Sequence, residues 1–186
     1  MSTEQTVNQI VDLSEQLENT QTSISEQQES RNAPIFNIIT SFLQANNLQF
    51  AKAEDVTILW FRVKGTNGEW TCYAYSKELE RQLVLYSVFP YKIKPYKLPA
   101  VAEFIARVNY DMMLGNFELN FDTGEIRYKT SVDLGIHIFE HTMLQGLMEA
   151  NFASMDTYFE GFMKIIYSNI SPEEVVTAIE CELDAC

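Results

Sequence analysis

Apolar residues recur three and four positions apart in several parts of the chain, which is the period of a helix with one buried face. The first such set follows Pro34 and ends before Asn46: Ile35, Ile38, Ile39, Phe42 and Leu43. The clearest set has the spacing i, i+3, i+4, i+7, i+11: Val101, Phe104, Ile105, Val108 and Met112. A third apolar stretch covers residues 139–167, and we expect this helix to break near residues 151–154. The motif Ser171-Pro172-Glu173-Glu174 has the residue types of a capping box and predicts a last short helix towards Glu182.

Between these helices apolar residues alternate with polar ones, which is the period of a strand with one buried face. Residues 56–63 and 69–75 form such runs on either side of the turn signal at 65–68, and a third run covers residues 82–89. Residues 117–121 and 126–130 alternate in the same way around the turn Asp122-Thr123-Gly124. The predicted order is α-βββ-α-ββ-α-α, an α+β fold in which helices pack on an antiparallel sheet.

Residues 1–33 differ in composition from the rest of the chain. They are rich in Gln, Glu, Ser and Thr, contain no aromatic residue, and have an amphipathic pattern only over residues 7–17. We predict a polar extension here, with a short helix and a flexible linker, although the helix could also serve in docking. Residues 34–186 are then expected to form one α+β domain.

The formal net charge of −13 is concentrated at the two ends of the chain. Residues 1–31 hold six acidic residues against one Arg, and residues 173–186 hold five acidic residues and no base, so each end carries −5. Such a chain repels nucleic acid and anionic membranes, and we expect neither as a partner. The start lacks a signal-peptide pattern, no apolar run reaches membrane-spanning length, and the three cysteines lack metal-ligand spacing. We therefore expect a cytoplasmic protein that holds no cofactor.

Three segments, FIARVNY, LGNFEL and DTGEIRY, follow one another within residues 104–128. In them a helix that bears Asn109 leads through Gly115 to a strand, and a tight turn at Gly124 leads to a strand with Arg127 and Tyr128. This succession resembles the signature of the YbjN family. The order of elements is also similar to that of type III secretion chaperones, small acidic proteins that dimerise and hold an extended segment of a client. The resemblance covers residues 34–182 and implies a regulatory protein of sensory or stress contexts, without catalytic residues.

One motif could indicate an enzyme. His137, Glu140 and His141 spell H-x-x-E-H, a pattern that supplies two zinc ligands and a base when it lies within a helix. Here the pair falls at the predicted start of a helix, so we interpret it as an ordinary first helical turn. The sequence lacks a nucleophile elbow and the glycine-rich loops that bind phosphates or dinucleotides. Lysines and aromatic residues interleave at residues 89–99, which we interpret as a proline-fixed loop with solvated lysines, an acidic peptide being the alternative contact.

We therefore predict a protein that is not an enzyme: an adaptor or chaperone-like regulatory module that captures an extended or helical segment of a partner protein. We also expect a homodimer. Aromatic residues dominate binding hot spots, so the strand aromatics and the polar pair of the signature are the predicted contacts: Trp60, Trp70, Tyr73, Tyr75, Asn109 and Arg127. The alternative is a sensory or stress regulator that binds a small ligand between the sheet and the helices.

Overall fold

The computed structural model describes residues 34–53 and 57–184. Within these ranges the chain forms helices and strands in the order α1 (Ile35–Ala45), β1 (Phe50–Lys52), β2 (Ile58–Lys64), β3 (Glu69–Lys77), β4 (Gln82–Val88), α2 (Leu98–Tyr110), β5 (Asn116–Asn120), β6 (Glu125–Asp133), α3 (His141–Tyr167) and α4 (Pro172–Asp184). A 3-10 turn at Pro95–Lys97 leads into α2. The predicted helix and linker of residues 1–33 lie outside the described residues.

The six strands form one sheet in the order β1-β2-β3-β4-β6-β5, and each neighbouring pair is antiparallel. Strands β1 to β4 are neighbours in chain order, and four or five residues separate each from the next. After α2 the chain returns through β5, which lies at the far edge, and β6 fits between β5 and β4. The predicted α+β fold with an antiparallel sheet is confirmed.

The four α-helices of the described residues all lie on one face of the sheet, where they bury two apolar clusters. The first cluster packs α1 on β2 and β3, with Ile39 and Leu43 against Leu59 and Phe61. The second packs α2, α3 and α4 on β5 and β6 around Phe117. Helix α3 contributes to both clusters, since its 27 residues run across the sheet. The two halves of the core are therefore joined by one long helix.

The structure corrects two expectations from the sequence. The short edge strand β1 was not predicted, because three residues are too few to show an alternating pattern. The predicted break of α3 near residues 151–154 is wrong. Asn151 is fully buried, and its carboxamide bonds to Ser87 and Thr130 of the sheet. The polar residue therefore attaches the middle of the helix to the sheet instead of ending the helix.

Glutamate carboxylates cap the starts of two helices. The Glu78 carboxylate, from the turn between β3 and β4, accepts hydrogen bonds from the Ile35 and Phe36 amides at the start of α1 (2.9 and 2.8 Å). At the start of α4, the Ser171 amide donates to the Glu174 carboxylate (3.0 Å) and the Glu174 amide to the Ser171 hydroxyl (3.3 Å). The predicted capping box is confirmed.

Candidate functional site: the helix-free face of the sheet

The face of the sheet opposite the helices is not covered by any helix of the described residues. We call it the outer face. Residues that point to it alternate with the buried core residues along β2, β3, β4 and β6, and they are half-buried or exposed. Polar residues usually fill such a solvent-facing side of an antiparallel sheet. Here several aromatic residues take these positions, which makes the outer face the candidate site.

Strand register aligns three aromatic residues in a row across the centre of the outer face. Trp60 lies opposite Tyr73, and Tyr73 lies opposite Tyr86. Trp60 is 43% exposed. Tyr75 is two residues along β3 from Tyr73, and its ring meets the Tyr86 ring edge to face with the centroids 5.5 Å apart. The Arg127 guanidinium lies 4.1 Å from the centre of the Tyr86 ring, within cation–π range.

Ion pairs fix the charged part of the outer face. The Glu118 carboxylate accepts hydrogen bonds from Arg127 Nε (2.7 Å) and Lys129 Nζ (3.2 Å). Burial alone would raise the pKa of Glu118, but the hydrogen bonds from these two cations outweigh it and hold the pKa below its usual value. Burial and the neighbouring tyrosines Tyr73 and Tyr86 raise the pKa of Tyr75. Tyr75 is therefore a neutral hydrogen-bonding group at physiological pH.

The charge of the outer face differs from that of the whole chain. Its residues are identified by their register positions across the six strands. Five of them are basic and four are acidic: Arg62, Lys64, Lys77, Arg127 and Lys129 against Glu69, Glu118, Glu125 and Asp133. The chain as a whole carries −13. The outer face is therefore a nearly neutral region on an acidic protein.

The structure brings together four of the six predicted site residues, Trp60, Tyr73, Tyr75 and Arg127, and places Trp70 on the opposite side of the sheet. The Trp70 side chain is buried against the helices, and its indole Nε1 donates to the Ser87 hydroxyl (2.9 Å). Ser87 in turn donates to Asn151 Oδ1 (2.6 Å), and Asn151 donates to Thr130 (3.1 Å). This buried network fills the space between the sheet and α3.

Asn109, the sixth predicted residue, lies at the end of α2 and bonds to the outermost strand. Its Nδ2 donates to the Phe117 carbonyl (3.0 Å), and its Oδ1 accepts from the Phe117 amide (2.8 Å). These are the bonds that a neighbouring strand would make with Phe117. The carboxamide therefore occupies the free edge of β5 at this point.

The comparisons with known proteins agree with this architecture. A family model named YbjN, described as "Putative bacterial sensory transduction regulator", matches residues 36–164, well over half of the chain. The chain belongs to the YbjN family. The family that the signature indicated is thereby confirmed. Comparison with curated proteins gives no match.

Two solved structures resemble the chain at low sequence identity. "Crystal structure of YbjN, a putative transcription regulator from E. coli" has a TM-score of 0.52 and 7% identity, and the match covers 69% of this chain and 93% of that one. "Structure of the HopA1-SchA Chaperone-Effector Complex" has a TM-score of 0.40 and 10% identity, and covers 64% of this chain and 88% of that one. At 7% identity, the likeness to YbjN concerns the fold.

The YbjN signature residues have visible roles in the backbone of this domain. Gly115 has a φ of +77°, and a Cβ there would lie 2.5 Å from the Lys129 carbonyl oxygen. Gly124 has a φ of +67°, and its carbonyl accepts a hydrogen bond from the Ile93 amide (2.8 Å). Both positions require glycine, since other residues rarely adopt positive φ and the space is filled. Together with Asn109, they fix the β5–β6 hairpin of the YbjN domain.

The two histidines of the H-x-x-E-H motif do not share a helical face. His137 lies in the turn before α3, and His141 is the first residue of that helix. The His141 Nε2 atom is 2.9 Å from the Ser41 hydroxyl of α1. Across the described ranges, no three His, Cys, Asp or Glu side chains gather as metal ligands would. His141 thus joins the start of α3 to α1.

Two of the three lysines of residues 89–99 bond within the YbjN domain. Lys92 pairs with Glu125 (2.8 Å), and Lys97 donates to the Ser168 carbonyl at the end of α3 (2.6 Å). Tyr91 and Tyr96 remain exposed. The segment thus connects the end of the sheet to α3. Among the described helices, none is long and apolar enough to cross a membrane.

One aromatic residue of the outer face was not predicted from the sequence. Tyr86 lies in the run that was predicted as a strand, and it alternates with the buried Leu85 and Ser87. Its position therefore follows from the alternation. The alternation does not predict the contact of Tyr86 with Arg127, because β4 and β6 are separated by α2 and β5 in the chain.

Proposed function

We propose that this protein is a non-enzymatic adaptor or chaperone-like regulatory module that captures a segment of a partner protein on its outer face. The observation that supports this most strongly is the row Trp60, Tyr73 and Tyr86. These large side chains are partly exposed, although the core is complete without them. Aromatic residues contribute most to binding hot spots, because each buries much area and loses little conformational freedom.

Two aromatic residues of the outer face, Tyr75 and Tyr86, are held in place by their neighbours. Tyr86 packs edge to face on Tyr75 and lies under the Arg127 guanidinium, which Glu118 holds from the other side. A side chain that is already ordered costs less entropy on binding. This arrangement favours a surface that recognises a partner over one that is merely solvated.

The sheet edge beside Trp60 favours an extended segment as the occupant. The Ala53 amide donates to the Ile58 carbonyl, and bonding alternates along antiparallel strands, so the Arg62 and Lys64 main chains also point to this edge. Strand β1 begins at Phe50, which pairs with Phe61, so no described strand pairs with residues 62–64 of β2 on this side. An extended segment that continues the line of β1 would bond to this edge.

A shallow cavity next to the row could hold one side chain of such a segment. Its volume is about 340 Å³, and Thr71, Tyr73, Val88 and Pro90 are among the residues that line it. In this proposal Trp60, Tyr73, Tyr75 and Arg127 contact the partner directly. Trp70 and Asn109 do not contact the partner. Trp70 supports β3 on the helix side of the sheet, and Asn109 fixes the edge of β5.

The first experiment is capture of partners from lysate by the tagged full-length protein, followed by binding measurements with the purified partner. We expect Trp60→Ala to weaken binding by about tenfold or more, as for a hot-spot residue. Tyr96→Ala is the matched control, because Tyr96 is an exposed aromatic residue away from the outer face. The proposal fails if the two variants bind the partner equally well.

A second measurement reports on the outer face directly. The chain has two tryptophans, so Trp70→Phe leaves Trp60 as the only one. Binding on the outer face should bury Trp60 and shift its emission to shorter wavelength in a saturable manner. A captured partner that leaves this emission unchanged binds elsewhere and contradicts the proposal.

The homodimer and the cytoplasmic location stay predictions that belong to this proposal. The mass of the purified protein, measured by light scattering during gel filtration, tests the first. Fractionation of cells that express the tagged protein tests the second.

A further inference from the structure

Apolar side chains are also exposed on the helix side of the molecule, in the loop between α2 and β5. Met113 is 96% exposed, Leu114 62%, and Tyr110 at the end of α2 86%. These residues lie within five positions of one another. Contiguous exposed apolar residues on a folded domain mark an interaction surface more often than single ones do.

The loop is held in a defined conformation. The Tyr128 hydroxyl donates to the Leu114 carbonyl, and the Met112 amide donates to the Asn109 carbonyl (3.4 Å). Gly115 follows with its positive φ, and the Asn109 carboxamide fixes Phe117. Met113 and Leu114 are therefore presented on a fixed backbone, so their exposure is not the result of a loose loop.

A groove of about 560 Å³ opens beside this loop, between α2, α3 and α4. Its lining is mixed, and the apolar part includes Val108, Met112, Tyr158 and Val176. Met113 and Leu114 form one wall. The methionine side chain is flexible and can pack against apolar groups of different shape, which suits a groove that binds an apolar side chain of a partner.

The lip of this groove is acidic. A second cavity adjoins it along α2 and α4, and the charged residues that line the two are Glu103, Arg107, Asp111, Glu173 and Glu180. Arg107 is engaged by Glu103 (2.9 Å) and Glu173 (3.6 Å). In the described part of the chain, neither Asp111 nor Glu180 forms an ion pair. Burial raises the pKa of Tyr158, and the negative charges of Glu180 and Asp111 raise it further. The charges of these two carboxylates therefore reach the groove.

We propose that this groove binds a segment of a partner protein in which apolar side chains are flanked by Lys or Arg. The apolar anchor would pack on Met113, Leu114 and Tyr158, and the cation would pair with Asp111 and Glu180. Charge complementarity decides this choice, because an acidic or uncharged segment would leave these carboxylates without a partner. The groove lies on the helix side, so this inference does not depend on the proposed role of the outer face.

The test uses a fluorescein-labelled helical peptide of Leu and Lys, about 14 residues long. Its counterpart carries Glu in place of each Lys. Binding to the full chain is measured by fluorescence anisotropy at about 0.15 M salt, where long-range attraction is screened. We expect the Lys peptide to bind and the Glu peptide not to bind.

Matched variants separate the groove from general attraction to an acidic protein. Met113→Ser with Leu114→Ser, and separately Asp111→Asn with Glu180→Gln, should each weaken binding by about tenfold or more. The controls remove equally exposed groups elsewhere: Leu79→Ser with Ile136→Ser, and Glu80→Gln with Glu160→Gln. These should change binding by less than about twofold.

Three outcomes overturn the inference: no binding of the Lys peptide, equal binding of the Glu peptide, or equal losses in groove and control variants. Circular dichroism of each variant shows whether it is folded. The changed side chains are exposed or lie at the lip, so we expect all variants to fold.

Discussion

Neighbouring residues of β4 show how different the two faces of the sheet are. Leu85 is fully buried under α3, whereas Tyr86 lies on the outer face under the Arg127 guanidinium. On the helix side the sheet presents buried apolar groups, aliphatic and aromatic alike, such as Ala74, Leu83 and Phe61. On the outer side it presents partly exposed aromatic rings and ion pairs. Burial in the core therefore accounts for the inner residues, whereas core formation does not account for the partly exposed outer residues.

The largest expected contrast concerns thiol chemistry. Cys72 lies on the inner face, and burial raises the pKa of its thiol to about 12, so the reactive thiolate is scarce. Cys181 on α4 is exposed. We expect a thiol reagent such as Ellman's reagent to label Cys181 at least about a thousand times faster than Cys72, which must wait for unfolding.

The measurement compares two variants that each keep one of these cysteines. Cys181→Ser with Cys186→Ser leaves Cys72, and Cys72→Ala with Cys186→Ser leaves Cys181. Urea should make Cys72 react as fast as Cys181. Rapid labelling of Cys72 in the native protein would show that the inner face opens to solvent. The two faces would then not differ in burial as described.

The second contrast compares the stabilities of two variants, at the adjacent residues Leu85 and Tyr86 of β4. Leu85→Ala leaves a cavity in the core and should lower the free energy of unfolding by about 2–5 kcal/mol. Tyr86→Ala removes a half-exposed ring and its cation–π contact, so we expect a loss nearer about 1 kcal/mol. Urea denaturation of both variants gives the values. Equal losses would mean that the outer face is needed for folding and is not reserved for a partner.

The smallest expected effect is the pH dependence of the ion pairs on the outer face. The pKa of Glu118 is lower in the folded chain than in an unfolded one. Ionised Glu118 therefore stabilises the fold above the unfolded pKa, and this contribution disappears as the pH falls through the folded pKa. Because Glu118 is partly solvated, we expect Glu118→Gln to cost under about 1 kcal/mol at pH 7.

The same denaturation experiment in acid provides the control. Below the usual pKa range of glutamate, about 4.3, the difference between Glu118→Gln and the native chain should shrink towards zero. A difference that stays constant with pH would point to packing in place of charge.

The sequence predicted most elements because their patterns are local. The alternation in residues 69–75 and the helical spacing around Phe104 were enough to place β3 and α2. The break of α3 was predicted wrongly because a buried Asn is rare in the middle of a helix, and its partners Ser87 and Thr130 lie far away in the chain. The candidate site was predicted in part. Tyr73 and Trp60 are neighbours in a predicted hairpin, whereas the contact of Arg127 with Tyr86 depends on a strand order that no local pattern contains.

The Asn109 carboxamide has a consequence for how copies of this protein can assemble. A sheet with two open edges can add copies head to tail without limit and grow into a fibre. Here the β5 edge is occupied at Phe117, while the β1 edge beside Arg62 offers its main chain to another strand. Addition at one edge alone ends after a single step. In the proposed capture of a partner segment at the β1 edge, the Asn109 carboxamide would therefore work against continued addition of strands through the β5 edge.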